Sequence, residues 1–339
     1  MDRRTFLGGG AAALAATLVP GAIGRADTVR KFPMPTSSSL TVLVTGDAGT
    51  GGGPQYAVAA AAKKLFKTEK LSLAIGLGDN IYEDGPESPD DDEFTLKFET
   101  PNTGLDVPWL MALGNHDNSL LLPGDGSWLD RGNHEVGYHA RSPRFWMPTR
   151  YYSVQAGPAE FFVLDLNPLA AYIPQLLGYW APNGPYMTEQ RTWLRGALAK
   201  STAKWKFVCN HYPYLNNGPH GVAGAYDGVP LPHANGTWVK EFFDTEVLGR
   251  AQFLLAGHDH SQQVFEPLPA LKGSRQLVCG AAGKSVGGRS VVTNPALYQD
   301  FSNMGFMVLD ISPSAVGLRV YTVDLDKQTP HLAYERKLA

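Results

Sequence analysis

The sequence predicts a mixed α/β fold: a four-layer αββα sandwich of two mixed β-sheets flanked by helices, with a ligand site at the C-terminal edge of the strands. Three observations predict it. Apolar strand-like runs alternate with helical segments from Leu40 to Leu113, a pattern that requires right-handed crossovers and a parallel sheet. Short clusters of acids, histidines and asparagine stand just beyond the ends of those runs, where open α/β sheets collect ligands. Hairpin-like runs then dominate the last quarter of the chain.

Each element follows in order. A polar Pro/Ser linker, Pro33 to Ser39, precedes a buried strand from Leu40 to Thr45 and a helix from Gln55 to Lys67. Leu71 to Leu77 is the next strand, Phe94 to Thr100 a short helix, and Val107 to Leu113 a third strand. From Asn118 to Arg150 the pattern dissolves into Gly, Pro and aromatic residues, which predicts a long loop covering the site. Strands return at Tyr151 to Gln155 and Glu160 to Leu166, and a helix from Thr188 to Lys200 precedes the strand ending at Asn210. A helix from Thr237 to Leu248 leads into the strand Ala251 to Leu255. Gln263 to Phe265, Gln276 to Gly280, Phe306 to Ile311 and Leu318 to Val323 read as hairpins of a second sheet. With no linker between the sheets, residues 40–325 form one domain, followed by a tail from 326 to 339.

The bulk composition narrows the function. The chain has 339 residues, 43% hydrophobic and 18% charged, enough for a sizeable core. Its formal charge is −3 and it has no lysine- or arginine-rich tract, which argues against nucleic acid or an anionic membrane as partner. The first 26 residues are a targeting segment, not fold. Arg3-Arg4-Thr5-Phe6-Leu7 is a twin-arginine pattern ahead of a mild apolar stretch, and Ala26 supplies the small residue a signal peptidase needs. The stretch is shorter than the roughly 20 apolar residues of a membrane span. Export through the twin-arginine machinery is therefore expected, to the periplasm or outside, without stable membrane insertion after processing. Cleavage would leave 26 basic and 31 acidic residues, a charge of −5. Cys209 and Cys279 lie in apolar runs and read as buried thiols more readily than as a disulfide.

Chemistry concentrates in five clusters: Gly46-Asp47-Ala48-Gly49, Gly78-Asp79-Asn80-Ile81-Tyr82, Gly114-Asn115-His116-Asp117, His211-Tyr212-Pro213 and Gly257-His258-Asp259-His260. A lone aspartate after a strand is usually a turn former or helix cap. Two Gly-Asp pairs ending two strands of one sheet bring two carboxylates together, and these repel unless cations lie between them. Together the clusters offer oxygen and imidazole donors for two adjacent metal ions, which can clamp a phosphoryl group and generate hydroxide near neutral pH. A phosphoester hydrolase is the expectation. Gly132-Asn133-His134-Glu135 mimics the third cluster but lacks a preceding strand, so it is set aside.

As a set these motifs resemble the calcineurin-type metallophosphoesterases. The tyrosine of Gly-Asp-Asn-Ile-Tyr narrows the resemblance to purple acid phosphatases, most of all the small tartrate-resistant ones, over roughly residues 40 to 325. The resemblance implies that Asp47, Asp79, Tyr82 and His260 hold Fe(III). Asn115, His211 and His258 would hold a divalent ion, Fe(II), Zn(II) or Mn(II), with Asp79 bridging. Phenolate and carboxylate suit hard Fe(III), and imidazole and amide suit the divalent ion. It further implies attack by a metal-bound hydroxide on small phosphate monoesters, with His116 binding phosphate or protonating the leaving oxygen. His220 stands where those enzymes carry a second acid/base histidine, although a surface loop histidine would read the same way. The loop after Asp117 is extended relative to the animal enzymes, and His233 lies near the cleft without a role. Rival readings are a phosphodiesterase or nucleotide-cleaving enzyme on the same scaffold, a non-catalytic metal- or phosphate-binding module, and redox chemistry at the iron. Retention of all seven ligand positions argues against the non-catalytic module.

Overall fold

Fourteen strands in two seven-stranded sheets carry the chain through a computed structural model that describes residues 29–232, 234–285 and 293–339. The segment 1–26, expected to be a targeting segment, and His233 lie outside the described residues. Among those described, no helix is long and apolar enough to cross a membrane.

The first half supplies β1 (Leu40–Thr45), α1 (Gly53–Leu65), β2 (Leu73–Gly76), β3 (Trp109–Met111), α2 (Asn133–Tyr138), β4 (Phe145–Trp146), β5 (Tyr152–Ala156) and β6 (Ala159–Val163). The second half supplies α3 (Pro185–Lys200), β7 (Trp205–Cys209), α4 (Thr237–Phe242), β8 (Phe253–Ala256), β9 (Gln262–Phe265), β10 (Arg275–Cys279), β11 (Ala296–Asp300), β12 (Gly305–Ser312), β13 (Ala315–Asp324) and β14 (Thr329–Lys337). The first sheet runs β14-β13-β12-β1-β2-β3-β4 and the second β11-β9-β10-β8-β7-β6-β5. β1 to β4 are parallel, as are β6, β7, β8 and β10, and antiparallel strands extend both sets.

Apolar faces decide the layering. Phe161, Phe207 and Phe253 of three neighbouring strands stack at 5.0 and 4.7 Å, in a core continuous with Phe306 and Leu309 of the first sheet. α1 is terminated by Phe66 and begins at Gly53 with Pro54 in its first turn, where a missing N–H costs nothing. It buries Val58, Ala61 and Ala62 against the first sheet. α3 and α4 bury Met187, Leu194, Val239 and Phe242 in a separate core against the second. Cys209 and Cys279 are free, buried thiols on β7 and β10.

The structure corrects four expectations. The segment Asn118 to Arg150 is not one loop: it holds a helical turn Leu129–Gly132, α2 and β4. These elements are two to six residues long, too short for a hydrophobic period to register. The C-terminal hairpins do not all join the second sheet. β12 pairs antiparallel with β1, and β13 and β14 continue that first sheet. Alternation marks a strand without naming its neighbour, because the partner of β12 lies some 270 positions away. The segment 326–339, expected as a tail, contains β14, hydrogen-bonded along β13. The helix expected from Thr237 to Leu248 starts where predicted but loosens into a wider turn over Phe243–Val247.

Candidate metal centre

The C-terminal ends of both parallel strand sets point to one seam. Asp47 follows β1, Asp79 follows β2 and Asn115 follows β3; His211 follows β7, and His258 and His260 follow β8. Asp47, Asp79 and His258 each adopt a left-handed backbone, with φ of 55°, 54° and 69°. That conformation is uncommon outside glycine and gathers at functional turns. It turns the chain sharply at the strand end and aims the side chain across the seam. The glycines beside them are needed for room. A Cβ on Gly114 would lie 2.1 Å from Asp79 Oδ1, and Gly78 combines φ +92° with a Cβ position 2.7 Å from His211 Nδ1.

All seven expected ligands converge, in two groups that share Asp79. In the first, the Tyr82 hydroxyl lies 2.8 Å from Asp79 Oδ2, 3.2 Å from Asp47 Oδ1 and 3.3 Å from His260 Nε2, with His260 Nε2 3.6 Å from Asp47 Oδ1. In the second, His211 Nε2 lies 2.8 Å from Asn115 Oδ1, 3.2 Å from His258 Nδ1 and 3.5 Å from Asp79 Oδ2. His211 Nδ1 donates to the Leu77 carbonyl at 2.8 Å, which leaves the Nε2 lone pair facing the seam. Carboxylate and imidazole atoms of Asp47, Asp79 and His211 lie within 4.8 Å of one another.

The electrostatics of this donor set call for cations. Burial, and then the neighbouring Asp79, push the Asp47 carboxyl well above the usual carboxylate range. Burial raises Asp79 too, but the charges of His211 and His116 and the Tyr82 hydrogen bond outweigh it and bring it to about 2. The two acids thus divide one proton unequally, as a close like-charged pair must. Burial depresses His211 and His258, and takes His260 down to about 3; burial and both carboxylates raise the Tyr82 phenol. Neutral imidazoles are ready as ligands, while the Asp47 carboxyl and the Tyr82 phenol lack positive charge to ionise against. The donor set therefore fits a dinuclear metal centre.

Both proposed acid/base histidines reach this seam. His116 donates its backbone N–H to Asp79 Oδ1 at 3.0 Å, and its Nδ1 meets the Glu83 carbonyl at 2.5 Å, with Nε2 unengaged among the described residues. Its ring lies 4.3 Å from that of Tyr82. His220 sits 4.8 Å from the His258 ring and 5.4 Å from His260, centroid to centroid. Its Nδ1 is 2.7 Å from Asp227 Oδ1; burial opposes its charge, but Asp227 prevails and raises its pKa.

Sequence reasoning passed over the residues that hold these ligands. Asp117, fully buried, accepts N–H groups from Asn80 (2.8 Å), Ile81 (3.0 Å) and Gly114 (2.7 Å), tying the loop after β2 to the loop after β3. Asp259 takes Ser261 Oγ at 2.6 Å, Asn216 Nδ2 at 2.8 Å and the His220 N–H at 3.2 Å. Both were visible inside quoted motifs. Glu135 was not, since it belongs to the motif set aside. His134 of that motif turns away to the Pro86 carbonyl, but Glu135 is fully buried and its Oε2 accepts from Asn80 Nδ2 at 2.8 Å. Burial and then Asp117 raise its pKa well above the ordinary value. A proton on Oε1, which otherwise has no donor, gives it a bond to offer Asp117.

The region from 40 to 262 matches the calcineurin-like phosphoesterase family model, and the chain belongs to that family. Among named relatives, purple acid phosphatase 4 of Arabidopsis thaliana is 29% identical over 318 residues, 91% of this chain and 87% of the relative. The fold is shared with the purple acid phosphatase PPD1 of yellow lupin seeds, at a TM-score of 0.60 and 17% identity, covering 90% of this chain and 55% of that one. It is also shared with GAP50, described as the anchor in the inner membrane complex of Plasmodium, at a TM-score of 0.66 and 18% identity over 88% of each chain. The likeness to purple acid phosphatases expected from the Tyr82 motif is thereby borne out, and so is the two-sheet fold.

Glu135 yields a prediction with a definite sign. Its folded pKa is raised, so its contribution is fully present below the unfolded value of about 4.3 and is lost as pH rises through the folded value. Glu135→Gln keeps both the donor and the acceptor. It should match the wild type in stability at about pH 4 and exceed it increasingly toward pH 9, in denaturant titrations at both pH values. A variant that loses stability with rising pH would mean that Glu135 is ionised.

Proposed function

We propose that the chain is an acid phosphatase that hydrolyses small phosphate monoesters. The observation that carries this reading is the convergence of seven donors in two groups sharing Asp79, with a phenol in only one of them. Asp47, Asp79, Tyr82 and His260 would hold Fe(III), and Asn115, His211 and His258, with Asp79, would hold Fe(II), Zn(II) or Mn(II). When bound, the ion pair supplies Lewis acidity to the phosphoryl oxygens and a water of lowered pKa as nucleophile.

The chain's own groups do the remainder. The free Nε2 of His116 faces the substrate, neutralises a phosphoryl oxygen and delivers a proton to the departing alkoxide. His220, kept basic by Asp227, stands on the other side of the seam as the second acid/base group. Lys284 lies 3.8 Å from the Tyr82 ring centroid and 3.0 Å from the Glu83 carboxylate, adding positive potential at the mouth. We further infer export by the twin-arginine route, supported by Arg3-Arg4 and the apolar stretch after it.

Three experiments address these assignments. Purified protein should contain two metal ions, one of them iron, and absorb visible light. Tyr82→Phe should bleach it without unfolding it, and Asp79→Ala should lose at least one metal and nearly all turnover. A colourless, fully active enzyme with two other metals would overturn the ferric site; full metal content and activity in Asp79→Ala would overturn the bridge.

His116→Ala should keep both metals and slow alkyl phosphates by about 10² to 10⁴, the usual worth of general acid catalysis. p-Nitrophenyl phosphate, whose leaving group needs no proton, should slow far less, and comparison with its bis ester separates monoesterase from diesterase. Equal slowing of both monoesters would shift the acid role to His220.

Replacing Arg3 and Arg4 by lysine should leave an uncleaved precursor inside the cell. Normal export and processing of that variant would exclude the twin-arginine route.

A further inference from the structure

Thirteen large apolar side chains are exposed among the described residues, and eight of them lie on two loops, 120–122 and 172–179. Scattered exposed leucines are ordinary, but a concentrated patch marks a contact surface. Leu120, Leu121 and Leu122 are each more than half exposed, and Leu177 is 88% exposed.

Both loops are fixed to the metal centre. Leu120 to Leu122 follow the Asn115-His116 motif directly, and Asp125 Oδ atoms collect the N–H groups of Leu120, Leu121 and Leu122 at 3.2, 3.0 and 2.9 Å. The Gly124 carbonyl accepts from Asn115 Nδ2 at 2.9 Å, and a Cβ on Gly124 would come within 2.8 Å of His116 Nε2. The Asp125 carbonyl accepts from Tyr172 at 3.0 Å and Ile173 at 3.4 Å, which joins the second loop to the first. Tyr172 then lines a small pocket with Asn115, His258 and Asp227. The leucines are thus presented by a hydrogen-bonded frame whose other end is a proposed metal ligand.

We propose that this rim binds the hydrocarbon portion of the substrate, so that the preferred substrates are phosphate monoesters of aliphatic alcohols, head group at the metals and chain along the leucines. The inference rests on the phosphatase reading of the site. Its occupant is chosen by continuity and charge. His116 Nε2 and Asn115 Nδ2 lie against Gly124, two residues from Leu122, so the leucine turn borders the place proposed for the phosphoester. The groove that Leu120 shares is lined by five acids, Glu83, Asp84, Glu87, Asp91 and Glu93, against one cation, Arg131, which disfavours an anionic lipid surface. A methylene fully removed from water contributes a factor of about four in affinity, so one covered on half its surface contributes about two.

The test is the binding of n-alkylphosphonates, from ethyl to decyl, to the metal-loaded protein, measured by calorimetry below their aggregation concentrations. No turnover is required. Affinity should tighten about twofold per methylene in the wild type. It should become nearly independent of length in Leu121→Ser/Leu177→Ser, whose metal content is checked alongside; both side chains are exposed, so folding is not at stake. Length-independent binding by the wild type, or an unchanged slope in the double variant, would overturn the proposal. So would affinity that appears only with zwitterionic vesicles, which would make the rim a surface-docking device instead. Failure of the phosphatase reading looks different: no phosphate ester is turned over, whatever the phosphonate slope.

Discussion

One carboxylate determines whether the two halves of the first sheet's ligand set face each other. Asp117 receives the N–H groups of Asn80 and Ile81 from the loop after β2 and that of Gly114 from the loop after β3. Without a common acceptor, three buried N–H groups would lack a partner, at a cost of about 1–3 kcal/mol each. With it, Asp79 and Asn115 are pinned on the same side of one anion. Burial, and then the nearby Asp79, raise the Asp117 carboxyl to about 7 despite those hydrogen bonds. Glu135 completes the arrangement from behind as a proton donor, so that only one of the two acids needs to carry charge. The donor geometry at the surface of the site thus depends on a protonation state one layer deeper.

The second constraint joins the sheets. His211 Nδ1 reaches from the end of β7 to the Leu77 carbonyl beyond β2, and the His258 N–H, after β8, reaches Asp47 Oδ2 after β1. Each bond connects a ligand of one sheet to the backbone or a ligand of the other. Relative sliding of the sheets would break both and separate the two donor groups. The stacked Phe161, Phe207 and Phe253 oppose that motion from the core side, because close-packed rings on adjacent strands leave no slack. Core packing and site geometry are therefore coupled through the same strands.

Much of this was legible in the sequence, for a specific reason. β1 occupies the six residues expected, Leu40–Thr45, and all seven residues expected as ligands reach the seam, because strand-end motifs depend on local pattern and one topological rule. What was not legible depends on partners far apart in the chain. Glu135 meets Asn80 across 55 positions, and β12 meets β1 across about 270. α2 and β4 are too short to imprint a period, so their segment read as loop. Rejecting Gly132 to Glu135 as a ligand motif was consistent with the geometry, since His134 faces Pro86; dismissing the whole motif hid Glu135.

That same segment shows why irregular sequence is not idle sequence. Between Asn118 and Arg150 it supplies the Asp125 frame under the leucine loop, Glu135 behind Asn80, and Arg150 itself. Arg150 is buried, pairs with Asp165 at 2.7 Å, donates to Asn118 Oδ1 at 2.8 Å and to the Leu129 carbonyl at 2.5 Å, and lies 4.8 Å from the Trp180 ring centroid. A guanidinium is suited to this, since its planar fork can satisfy several acceptors at once while its face packs on an aromatic ring. Removing one member of such a buried pair strands the other charge and typically costs about 3–5 kcal/mol. Because Asn118 follows the Asn115-His116-Asp117 motif directly, the loss would be transmitted to the proposed acid His116 as well as to stability. A periodic hydrophobic pattern would have served none of these purposes. The segment looks structureless in one dimension because its residues are chosen for polar contacts made in three.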